Sequence, residues 1–162
     1  MLRWVAMLSG GAIVWMVAAG DVSGRIRLPV SRVVAGATVT QRFGCTNLEL
    51  EPFDALCPSH HLHTGIDLAA PIGRDVHSAT AGTVRLGVDP EGAGLYVAVI
   101  VDQHTRVLYC HLSTFQVRNG DWVSPGQVVG LLGSTGKSTG PHVHLEVQVD
   151  GRPVDPAGWL TS

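Results

Sequence analysis

The sequence predicts a mainly β protein, and three observations carry that expectation. Twenty glycines and nine prolines punctuate 162 residues, only 15% of residues are charged, and no long stretch repeats apolar residues at the helical period. Such a chain makes short strands joined by tight turns rather than amphipathic helices. Apolar residues make up 45% of the sequence, enough for one domain to build a core without relying on crosslinks.

The N-terminus differs in kind from the rest of the chain. Arg3 precedes Trp4 to Gly20, an uncharged and mostly apolar run that predicts an N-terminal apolar helix serving export. Val17-Ala18-Ala19 and Ala18-Ala19-Gly20 offer small-residue cleavage sites, so residues 1–20 suit a removable signal peptide. Residues 4–20 are also nearly long enough to remain as a membrane anchor. Either outcome puts the remainder outside the cytoplasm. Residues 21–39, with Pro29 and scattered arginines but no periodicity, read as a linker, and the domain proper spans 40–160.

Within that domain, short strands are expected at Thr83 to Leu86, Leu95 to Asp102, Thr105 to Leu112, Val128 to Leu132 and His142 to Val149. Asp102 to Thr105 reads as a hairpin connection and Asp150-Gly151 as a turn. Lysine and arginine total 11 against 13 acidic residues, with no basic run, which argues against nucleic acid as a partner. Of three cysteines, Cys45 and Cys57 flank the irregular segment "TNLELEPFDAL" and are expected to close it as a disulfide loop in an oxidising compartment. Cys110, inside an alternating strand, reads as a small buried apolar residue.

The stretch "GSTGKSTGPHVHLEV" at 133–147 invites two readings. A phosphate-binding loop needs glycine five residues before Gly136, but position 131 is Leu131, and a strand rather than a helix follows. A nucleotide is therefore not expected. The second half fits better. On a strand, His142, His144 and Glu146 share one face while Val143, Leu145, Val147 and Val149 share the other, so two imidazoles stand on an element anchored in the core. His63 and Asp67, four residues apart across Gly65, can reach one ion if the turn is tight. Two histidines and a carboxylate make a three-ligand set suited to catalytic zinc, Zn2+, with one position left for water. Glu146 reads first as an ordinary exposed strand residue, with a carboxylate that supports His144 from behind as the alternative.

The sequence resembles the lysostaphin-type (LytM-like) zinc endopeptidases of bacterial cell walls. Four ordered blocks carry the resemblance: "VTQRFG" at 39–44, "HTGIDLAAP" at 63–71, "LYCHLS" at 108–113, and the stretch at 133–147. It implies that His63, Asp67 and His144 bind zinc and that His111 and His142 are unliganded catalytic histidines facing the attacking water. It also implies an antiparallel β-fold of barrel-sandwich type with an open groove, in a monomeric hydrolase facing the cell wall and acting on peptidoglycan peptide. Ser138, Thr139 and Gly140 are expected to line that groove. The alternative is a catalytically inactive relative serving as a wall-binding or hydrolase-activating module. Such relatives lose zinc ligands, whereas all three are present here. The segment from Cys45 to Cys57 departs from the family pattern.

Overall fold

The computed structural model describes residues 27–161. The expected N-terminal apolar helix lies outside the described residues, among which no helix is long and apolar enough to cross a membrane. Among the described residues, twelve strands and one short helix come after a 3-10 turn at Val30–Arg32. They are β1 Thr38–Gln41, β2 Gly44–Thr46, β3 His61–His63, β4 Ile66–Ala69, β5 Asp75–His77, β6 Gly82–Asp89, β7 Gly94–Ile100, β8 Thr105–Phe115, β9 Trp122–Val123, β10 Val128–Leu132, β11 His142–Val149, β12 Arg152–Val154 and α1 Pro156–Thr161.

All pairings are antiparallel, as expected. The main sheet runs β1-β4-β11-β8-β7-β6-β9, with β10 bridging β8 to β5 and β12 extending the edge of β11, while β2 and β3 form a separate ribbon. Two hairpins show the local chemistry that sets this order. The Asp102 carboxylate accepts the His104 and Thr105 N–H groups at 2.8 Å each, closing the β7–β8 turn. Asp150 and Gly151 both take positive φ, 51° and 74°, the backbone of the tight turn that joins β11 to β12.

Strand alternation positions the site. Val143, Leu145 and Val147 of β11 are fully buried, each contributing about 2 kcal/mol of apolar burial, and this leaves His142, His144 and Glu146 on the opposite face. β10 and β11 coincide with their expected bounds, while β8 runs three residues past Leu112. The core also takes in residues that the sequence assigns to a linker. Val33 and Val34 are 0% and 1% exposed, and Thr38 and Val39 pair with Ala69 and Leu68. That segment lacks a period because it is a single turn and an edge strand, too short to show one.

Candidate active site

Sheet register brings the first three residues together. On β4 and β11, Asp67 lies directly opposite His144, and His144 in turn faces Cys110 of β8. His63, at the end of β3, reaches the same point. Its Nε2 lies 3.1 Å from Asp67 Oδ1 and 3.0 Å from His144 Nδ1, and the remaining Nδ1–Oδ1 separation is 3.0 Å. The chain crosses at Gly65 because a Cβ there would collide with the Leu145 carbonyl oxygen and approach His144 Nε2 to 2.8 Å. Lack of bulk, rather than the turn freedom the sequence suggested, is what this glycine supplies.

Proton bookkeeping tests whether the three atoms fit a cation. His63 Nδ1 lies 2.9 Å from the Arg42 carbonyl oxygen, which only accepts, so Nδ1 carries the proton and Nε2 keeps a lone pair. His144 Nε2 faces Glu146 Oε2 at 3.4 Å, which turns its Nδ1 into the inward lone pair. Two bare nitrogens and a carboxylate oxygen at about 3 Å from one another repel unless positive charge sits among them. Tetrahedral zinc, with bonds of about 2.0–2.1 Å, sets its donors about 3.3 Å apart, and the set of two imidazoles and a carboxylate matches its preference. The cluster draws positive charge in other ways too. Burial works against a charged His144, yet hydrogen bonds and charges from Asp67 and Glu146 raise its pKa to about 9. Burial likewise opposes ionisation of Asp67, but His144 and His63 hold its carboxyl well below the usual carboxylate range.

Two further histidines border this centre. His142 Nδ1 donates to the Gly140 carbonyl at 2.8 Å, and its Nε2 lies 3.7 Å from Asp67 Oδ1. His111 Nδ1 donates to the Thr135 carbonyl at 2.8 Å, leaving Nε2 as the bare nitrogen. The two ring centroids are 4.7 Å apart. Simple alternation along β8 would send His111 to the face opposite Cys110. Instead its backbone takes φ 62°, a strained conformation for a residue with a side chain, and the ladder to β7 shifts register. The bulge re-aims the imidazole into the groove. Burial there pulls the His111 pKa down to about 4, offset only in part by the Thr135 carbonyl, so the ring is neutral at ordinary pH.

The groove above these residues has a volume of about 390 Å³. One border comes from the loop closed by the Cys45–Cys57 disulfide, through Leu48, Leu50, Glu51 and Pro52. The other comes from Gly92, Ala93, Lys137 and Thr139. Of the three residues expected to line the groove, Thr139 does so. Ser138 and Gly140 instead brace His142, with Ser138 Oγ 3.3 Å from its Nδ1 and donating to the Gly140 carbonyl at 2.7 Å. The sequence reading missed Thr64, and of its two readings of Glu146 the structure favours the carboxylate behind His144 over the exposed strand residue. Glu146 is largely buried, with its side chain 13% exposed, and its Oε2 accepts the Thr64 hydroxyl proton at 2.6 Å while facing His144. The available signal was its shared strand face with His144. Cys110, as expected, is buried. His104 pairs with Asp150 at the surface, remote from the groove.

Fold and donor set together define a class: a β-sheet protein whose groove floor has the make-up of a metallopeptidase centre. Residues 61–156 match Peptidase family M23, and the chain belongs to that family. It is 43% identical over 95 residues to the DD-carboxypeptidase/endopeptidase Mpg of Neisseria meningitidis serogroup B, a match covering 59% of this chain and 22% of that protein. It is equally similar, over 93 residues, to the peptidoglycan DD-endopeptidase ShyA of Vibrio cholerae, covering 57% and 22%. The chain thus spans about a fifth of the length of these curated relatives. Among solved structures it resembles a zinc-containing peptidase from Vibrio cholerae, with 31% identity and a TM-score of 0.66 over 81% of this chain and 40% of that one. The catalytic domain of lysostaphin from Staphylococcus simulans gives 30% identity and a TM-score of 0.64, covering 78% of this chain and 93% of that domain.

Proposed function

We propose that this protein is a zinc-dependent endopeptidase that hydrolyses peptide cross-links or stem peptides of bacterial peptidoglycan. The observation that carries the reading is the set of three mutually facing donors, His63 Nε2, Asp67 Oδ1 and His144 Nδ1, beneath two histidines in an M23 frame. Zinc held there supplies a Lewis acid that polarises the scissile carbonyl and lowers the pKa of water towards neutrality.

The chain's own groups do the rest. His111 and His142 are each held by a backbone carbonyl at Nδ1, so each has Nε2 free to accept a proton. One takes the proton of the attacking water and returns it to the amine nitrogen as the peptide C–N bond breaks, and the other, entering the cycle with a proton taken from solvent at Nε2, donates it as a hydrogen bond to the developing oxyanion. The groove borders hold the peptide extended across the floor. We place the catalytic unit in the domain 40–160, together with Val33 and Val34, which pack into it, and Thr38 and Val39, which pair with β4, and an export segment at 1–20 that is either removed or kept as an anchor. The protein then acts outside the cytoplasm as a monomer, secreted or held at the membrane facing the wall.

Digestion of purified peptidoglycan of defined cross-link types, with mass spectrometry of the new amino termini, tests this reading. Zinc-loaded protein should release new termini and a chelator should stop it. Zinc-loaded protein that releases none from any cross-link type rejects the function.

A further inference from the structure

The sequence contains a single lysine, Lys137, and the fold sets it on the groove border. Its backbone N–H donates to the Gly92 carbonyl at 2.8 Å, which fastens its loop to the β6–β7 turn. Its side chain reaches the other border, where Nζ donates to the Leu50 carbonyl at 2.7 Å. Leu50 belongs to the loop closed by Cys45 and Cys57, so the lysine ties the two borders together. An ammonium has three N–H donors, and the Leu50 carbonyl uses one. Two remain for a ligand at a position fixed in advance.

Among the described residues no other lysine or arginine lines the groove, and no carboxylate pairs with Lys137. Asp67 and Glu146 are engaged with histidines and Thr64, and the Glu51 side chain accepts from the Gln41 amide at 3.4 Å. Glu91 shares the rim without pairing. Beside the ammonium stand Leu48 and Leu50, about half exposed, together with Pro52. The border therefore offers a cation next to an apolar patch, a poor match for an uncharged, side-chain-free oligoglycine and a good one for a carboxylate adjoining an aliphatic residue.

We propose that Lys137 is a specificity-determining residue whose ammonium receives a free carboxylate of the substrate peptide while Leu48 and Leu50 pack against the neighbouring aliphatic side chain. The groove thereby selects anionic stem-type peptides over uncharged glycine bridges. This deepens the peptidase reading above and rests on it for the identity of the ligand as a peptide.

The test compares two cross-linked stem peptides identical except that the carboxylates are free or converted to carboxamides, with pentaglycine as a third substrate. Wild-type protein should favour the free acid about fivefold in kcat/KM, a preference that shrinks with added salt, as an exposed charge contact does. Lys137→Gln should bring the acid-to-amide ratio to about one with zinc content unchanged, and Lys137→Arg should restore it. A Lys137→Gln variant that keeps the wild-type ratio, or loses activity equally on both peptides, overturns the proposal. Binding of the same pair, followed by calorimetry, reads the charge preference without cleavage. If neither peptide is cut, the peptidase reading fails while the binding ratio still decides the role of Lys137.

Discussion

His63, Asp67 and His144 stand on or at the ends of paired strands and are at most 14% exposed, whereas Leu48 and Leu50 stand on a loop closed by one covalent bond and are 48% and 49% exposed. Floor and border thus face the same groove but are held differently. The floor is fixed by register: a slip of one residue in β11 would turn His144 into the core and Leu145 into the groove. The border is fixed by the disulfide, by the Leu62 N–H to Pro52 carbonyl bond at 3.0 Å and by Lys137. Chemistry therefore sits where the sequence has least freedom, and selection sits where it has most.

The sharpest way to break this division is through the floor. His63→Ala or Asp67→Ala leaves two donors facing each other, and zinc affinity should fall more than about 100-fold, beyond the loss typical of an outer partner, with peptidoglycan cleavage falling to background. Stoichiometric zinc in either purified variant, measured by elemental analysis, rejects the donor assignment. His111→Ala separates proton transfer from metal holding. Zinc should stay, and turnover should drop by about 10² to 10⁴. Wild-type rates in that variant rule out a catalytic role for His111.

The border is tested by the crosslink. Replacing Cys45 and Cys57 by serine frees a loop whose ends lie 12 residues apart in sequence, and thermal unfolding should show a loss of up to about 3 kcal/mol. Zinc affinity should be unchanged, because no donor lies on the loop. A fall in zinc affinity of similar size would join floor and border into one unit and end the comparison. A smaller effect comes from behind the floor. Glu146→Gln removes the charge facing His144 Nε2, and zinc affinity should weaken by about 10- to 100-fold. Unchanged affinity in a chelator competition makes Glu146 a packing residue.

That last residue marks where the sequence stopped being legible. The core strands could be read because aliphatic alternation in "HVHLEV" is dictated by burial on one face, and β11 and β10 fall on their expected bounds. Placement on a shared face also brought His142 and His144 together. Burial of Glu146 was not readable, since alternation assigns a residue to a face but does not say whether another strand's Thr64 covers it. His111 could be placed at the site only through the family resemblance. Period-two reasoning sends it to the core, and only a register shift against β7, made by residues distant in sequence, brings it into the groove. A hydroxyl at Ser138 and close-approaching backbone at Gly140 suggest substrate contacts, yet their polar atoms are spent on each other and on His142. Short edge segments such as Val33 and Val34 left no periodic trace at all.

The smallest expected effect is an absence of reaction, at Cys110. This thiol is 4% exposed, lies opposite His144 in the ladder, and has its pKa pushed far above the usual thiol range by burial, reinforced by the charges of Glu146, Asp67 and Asp89. Raising the pH therefore gives little thiolate in the folded protein, although an exposed thiol would ionise and react readily. Native protein treated briefly with iodoacetamide at pH 9 should take up no label, unfolded but unreduced protein one, and unfolded, reduced protein three. Because Cys110 lines the groove floor yet is only 4% exposed, its slow labelling over longer treatment reports local opening of the floor around it. Cutting the disulfide should leave that rate unchanged if the border moves independently. Faster Cys110 labelling in the double-serine variant would show instead that the loop clamps the strands carrying the metal donors.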